Sequence, residues 1–82
     1  MATKHDLTDW VIAALGRLGG SASLVEVAHD LWKHHESDLR SSGDLFYTWQ
    51  YDMRWSANVL RRKGVMKAAE ASPHGVWQLA GA

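Results

Sequence analysis

Gln50, Arg54 and Arg61 stand one turn and then two turns apart if the run TWQYDMRWSANVLRRK is helical, and Tyr51 and Asn58 fall beside them. All five can donate or accept hydrogen bonds at the end of the side chain. Arginine presents a flat fork of donors that pairs bidentately with guanine in the major groove, and glutamine does the same with adenine. The row therefore has the chemistry of base-edge reading, although a solvated helix face would also be polar. Arg62 extends it, and Lys67 and His74 lie beyond it, where a phosphate contact would position a domain without reading sequence. Ser21 and Ser23 precede another helical run, whose first amides and these hydroxyls can hold a phosphate, although helix capping alone accounts for Ser23.

Other chemistries find less to work with. His29 and His34 would point about 140° apart on a helix, so they do not converge as an i, i+4 pair of metal ligands would. No metal site is expected, and His35 is expected to cap the end of its helix. The chain has no cysteine, which removes disulfides, thiolate zinc sites and thiol nucleophiles together and fits a reducing compartment. It also lacks a nucleophile elbow and a glycine-rich phosphate loop, so neither an enzyme nor a cofactor is expected.

Eighty-two residues make one domain, and five tryptophans give so small a core large buried areas. No apolar run reaches the ~20 residues of a membrane span, and MATKHDLTDW lacks the apolar centre of a signal peptide, so a cytoplasmic protein without membrane contact is expected. Nine basic and nine acidic side chains cancel, but they are unevenly placed. From Asn58 through Ala69 there are Arg61, Arg62, Lys63 and Lys67 and no acid, whereas six acids against two bases occupy Glu26 to Asp52. The net zero hides a basic face.

Several elements must hold these residues in place. Thr3 and Asp6 form a capping pattern, and Leu7, Val11, Ala14, Leu15 and Leu18 recur at helical spacing, which predicts a helix near residues 4 to 18. Gly19-Gly20 ends it, and a short extended link leads to a second capping box, Ser23 with Glu26. That second helix should bury Leu24, Ala28 and Leu31 and run to about His34, and the polar stretch HHESDLRSSGD reads as a loop with room for one irregular turn around Asp38 to Arg40. A third helix is predicted from Thr48 or Trp49 to Lys63, with Phe46 and Tyr47 ahead of it. VMKAAE and VWQLA, separated by ASPHG, read as a β-hairpin.

FYTWQYDMRW, residues 46 to 55, holds five of the eight aromatic residues. On a helical wheel Trp49, Met53, Ser56 and Leu60 share a stripe, with Trp55 and Val59 on its flank, so these side chains are expected in the core and truncating Trp55 should be very costly. Gln50, Tyr51, Arg54, Asn58 and Arg61 take the opposite side. Helix, tight turn, helix, loop, longer helix and hairpin is the order of a mostly helical α+β winged helix-turn-helix, in which the third helix enters the major groove and the wing lies along the backbone.

The run SSGDLFYTWQYDMRWSANVLRRKGV followed by HGVWQLA resembles the N-terminal winged-helix domain of Mrr-type restriction endonucleases. Ser42, Gly43, Phe46, Tyr47, Trp55, Ser56, Leu60, Gly64, Val65, Gly75, Val76 and Trp77 carry the match, and LGRLGGSASLVEVAHDLW resembles that family's first two helices. Ser56 stands where the family usually has alanine. The resemblance implies a target-recognition module for double-stranded DNA, linked in that family to a separate nuclease domain whose metal-binding Asp and Glu-x-Lys signature is absent from these residues.

The rival expectation is a protein-interaction winged helix, including a homodimer. Trp10, Ile12 and Trp32 lie off the centres of their stripes and would form its exposed patch. The acids from Glu36 to Asp44 would repel DNA if they lay against the third helix.

Overall fold

Thr3 and Asp6 close a reciprocal capping box: Thr3 N donates to Asp6 Oδ2 at 2.9 Å, and Asp6 N donates to Thr3 Oγ1 at 3.4 Å. These bonds start helix α1 (Lys4–Arg17) in the computed structural model, which describes residues 2–80. Leu7, Val11, Ala14 and Leu15 are wholly buried along one face, each large aliphatic among them contributing about 1.5–3 kcal/mol relative to exposure. Gly19 and Gly20 follow at φ of 87° and 91°, a left-handed turn that a side chain would strain. The turn leads into strand β1 (Ser21–Ser23) and then helix α2 (Leu24–Arg40), capped by the expected Ser23 and Glu26 pair.

Helix α2 departs from expectation twice. It does not stop at His34 but bends at His35 (φ −130°, ψ 17°) and continues to Arg40. Leu39, the one apolar residue in that polar stretch, is fully buried, and an Arg40 to Glu36 ion pair at 2.7 Å spans the last turn. His35 therefore sits at a kink instead of capping an end. The buried stripe is also rotated: Val27 and Leu31 are at its centre, Leu24, Ala28 and Trp32 are half-buried, and Val25 is 74% exposed. Asp30 explains the rotation, because its carboxylate is buried and accepts from both Nε and Nη2 of Arg17 on α1. That bidentate pair holds the Asp30 carboxyl below its ordinary range.

Helix α3 (Leu45–Arg62) begins three residues earlier than the predicted Thr48, so Phe46 and Tyr47 belong to its first turn. Leu45 is the reason, since it is buried one turn ahead of Trp49. Trp49, Met53, Ser56 and Leu60 are buried as expected. Trp55 and Val59 are only half-buried and stand outside the main core cluster. Ser56 is fully buried at the contact with α1, where Thr8 Oγ1 lies 3.3 Å from its Oγ.

The C-terminal segment forms strand β2 (Val76–Gln78), but its antiparallel partner is β1, with Ala22 opposite Trp77. The expected hairpin survives only as a bridge from Met66 to Leu79, flanked by Lys67 N donating to Gln78 O at 2.9 Å and Ala80 N to Val65 O at 2.8 Å. Ala69–Ala71 forms a 3-10 turn instead of strand. Alanine and glutamate are poor strand formers, and the extended Ser-Ala-Ser link offers β2 a better edge. Three helices and a two-stranded antiparallel sheet thus make an α+β domain, and none of the described helices is long and apolar enough to cross a membrane.

The kink carries a pH prediction. The His35 ring lies flat on Trp10, with centroids 3.8 Å apart and planes within 6°. Burial pushes its pKa below 6.5, and Arg17 and His34 act in the same direction while Asp38 and Asp30 oppose them. A depressed histidine adds stability above the unfolded-state pKa and loses it as pH falls, because the unfolded chain takes up a proton that the fold resists. Urea midpoints should therefore drop between pH 7.5 and 5, and His35→Leu should flatten that drop. An unchanged slope in the variant would contradict a neutral His35.

Candidate nucleic-acid interface

Helix α3 packs its buried stripe against α1 and turns Gln50, Tyr51, Arg54, Asn58 and Arg62 outward, all of them exposed. None of these side chains, nor that of Arg61, takes part in a hydrogen bond or ion pair among the described residues. Arg61 is half-buried, and its Nε is sequestered without a hydrogen-bond partner. Arg54, Asn58 and Arg61 line a cleft of about 300 Å³ together with Leu24 and Trp77, so the start of α2, the outer face of α3 and strand β2 meet at one place. A second depression, of about 460 Å³, lies between Asn58, Arg61 and Arg62 and the Ala68–Glu70 turn.

The other sequence-predicted residues are distributed around this face. Lys67 and His74 are exposed in the segment that leads to β2. Ser21 is exposed on β1, with its hydroxyl accepting from Gln78 Nε2 at 3.3 Å. Ser23 Oγ accepts from Glu26 N at 3.1 Å, and Glu26 Oε1 accepts from Ser23 N at 2.9 Å, so the cap occupies both residues. The Ser23 amide and hydroxyl hold the Glu26 carboxyl below its ordinary range, which leaves a negative charge at the start of α2.

Two features were not visible in the sequence. Lys4 reaches across from α1 with its Nζ 4.6 Å from the Trp55 ring centroid, and His5 meets the same ring edge-on at 5.7 Å. Lys4 therefore joins Tyr51, Arg54 and Asn58 around a depression of about 270 Å³. The half-buried Trp55 is the platform that brings α1's first turn to α3, a pairing that only tertiary packing creates. The second feature is an open groove of about 610 Å³ between the N-terminal halves of α2 and α3. Leu24, Ala28, Trp32, Phe46, Trp49 and Met53 form its apolar walls, and Val25, His29, Gln50 and Arg54 complete its lining.

The acids of residues 36 to 44 are partly neutralised. Glu36 pairs with Arg40, whereas Asp38 keeps its charge, 4.0 Å from the Nδ1 of a neutral His35. Asp44 precedes the opposite end of α3 from Arg61 and Arg62, roughly 25 Å away along the axis at 1.5 Å per residue. The patch expected around Trp10 is also covered, since His35 stacks on that ring. Trp32 is likewise occupied, stacking on Trp49 at 5.9 Å with the Arg40 guanidinium 5.1 Å from its ring centroid.

No protein-family model, no curated protein and no solved structure matches the chain.

Proposed function

We propose that the protein is a winged-helix DNA-binding module that reads duplex DNA with the outer face of α3. The observation that carries the reading is the exposed row of Gln50, Arg54 and Asn58, which contributes no side-chain hydrogen bond to the fold and leads to the half-buried Arg61 beside a local excess of cations. Polar side chains that the fold does not use remain available to base edges. Arg62, Lys67, His74 and Lys4 contact phosphates, while Ser21 and Ser23 offer only their hydroxyl protons at the start of α2, against the opposing charge of Glu26. The β1–β2 ladder with its Met66 bridge serves as the wing.

The resemblance to Mrr-type N-terminal domains supports this reading at the level of scaffold. Several residues that carry it are structural here: Ser42, Ser56, Leu60 and Trp77 are buried, and Gly64 has a φ of 78° where α3 ends. The test is a titration of duplex DNA into isotopically labelled protein at two salt concentrations. About four cationic contacts should give a slope of roughly −3 to −4 in log Kobs against log salt, with shifts on α3 and residues 66 to 78. Shifts confined to α1, or affinity independent of salt, would refute it.

A second reading, a protein-interaction or homodimer module, is favoured by the exposed Val25, Tyr47 and Tyr51, at 74%, 83% and 76%. Tyrosines of this kind are common binding anchors. Sedimentation equilibrium at increasing concentration distinguishes this reading, because a dimer dependent on Tyr47 and Tyr51 would place the interface on α3 itself.

A further inference from the structure

We propose that the groove between α2 and α3 is a binding site for a small planar aromatic acid. Its volume, about 610 Å³, falls within the ~300–1,000 Å³ typical of small-molecule sites, and its mostly apolar lining with few polar groups has the usual composition. Trp32 of α2 and Trp49 of α3 stack on one another across the groove, and with Phe46 they make one stretch of its lining aromatic, which suits edge-to-face contact with a ligand ring. Ala28, one turn before Trp32 on α2, also lines the groove, and a larger residue there would take up part of its space.

Charge selects the ligand's head group. Arg54, His29 and Gln50 are the polar residues of the lining, and no carboxylate is among them. The nearby acids are engaged elsewhere: Asp30 is bound to Arg17, and Glu26 caps α2. Arg54 forms no ion pair among the described residues, so a guanidinium stands free at the mouth of an apolar groove. A carboxylate there would gain a charge-assisted, bidentate pair while its ring is removed from water.

Gln50 and Arg54 belong both to the groove and to the outer face of α3. A bound acid would therefore engage the side chains that read bases, and DNA and ligand would exclude one another. This consequence rests on the proposed DNA reading, whereas the ligand site does not.

The probe is 2-naphthoate, titrated against the full chain and followed by the Met53 methyl and the indole N–H resonances of Trp32 and Trp49. Saturable shifts at these groups are expected, weakened roughly tenfold in Arg54→Gln and roughly tenfold for neutral 2-naphthamide. In Ala28→Phe the shifts should vanish while circular dichroism stays native. If that variant unfolds, the Arg54→Gln and naphthamide comparisons decide. Equal affinity for acid and amide, or no saturation at millimolar naphthoate, would overturn the proposal. Shifts of the same resonances on concentrating the protein alone would assign the groove to a second copy and overturn it too. Duplex DNA titrated with and without naphthoate separates the two claims. Naphthoate binding without DNA binding defeats only the DNA reading. DNA binding without naphthoate binding defeats only the groove.

Discussion

Arg54→Ala is expected to lower affinity for the preferred DNA duplex by about 1–3 kcal/mol and to relax the preference at one base pair, most strongly where guanine is read. The side chain is exposed near the middle of α3 and has no hydrogen-bond or ion-pair partner among the described residues, so its loss should leave the fold intact. Lys67→Ala provides the contrast. Lys67 lies in the segment leading to the sheet, held by its backbone N–H to Gln78 O, and its ammonium is a point charge without base-pairing geometry. Its removal should weaken all sequences alike and reduce the salt slope by about one. Competition binding with a set of single-base duplex variants measures both effects. Equal loss across all duplexes for Arg54→Ala would remove it from base reading, and a change of preference in Lys67→Ala would reverse the two roles.

Trp49→Ala should cost about 3–5 kcal/mol, against a total stability of roughly 4–12 kcal/mol for a chain of this size. Trp49 is buried between the core and the Trp32 ring, so truncation leaves a cavity and exposes the groove wall. Trp55→Ala should cost far less, about 1 kcal/mol, since its half-buried ring serves mainly as a platform for Lys4 and His5. This reverses the expectation drawn from the helical wheel, which grouped Trp55 with the core. Chemical denaturation of the two variants compares them directly. A Trp55→Ala protein as unstable as Trp49→Ala would return Trp55 to the core. If Trp55→Ala stays folded, its DNA affinity also reports whether Lys4 depends on that platform.

Much of the candidate site was legible because α3 is long and strongly periodic. Its inner stripe of Trp49, Met53, Ser56 and Leu60 follows from spacing alone, and the outward row of Gln50, Arg54 and Asn58 is its complement. Both capping boxes were equally visible, since a cap is a contact between residues three apart. The continuation of α2 through Arg40 was not. A polar stretch looks like a loop until Leu39 finds a buried place against other elements, and that place depends on residues distant in sequence.

The sequence by itself determined three helical segments, the capping boxes of the first two, the glycine turn after α1 and the polar face of α3, all governed by interactions within a few residues. Tertiary structure alone decided the rest. The Arg17–Asp30 pair sets the rotation of α2, so Leu24, Ala28 and Trp32 line a groove instead of filling the core. β2 took β1 as its strand partner and kept only a bridge and two flanking bonds to the nearer VMKAAE segment, because strand pairing follows the best available edge more than proximity in the chain. The same packing laid His35 on Trp10 and brought Lys4 over Trp55. These contacts join residues 25 to 51 positions apart, and no local pattern specifies which of several tryptophans a given side chain will meet.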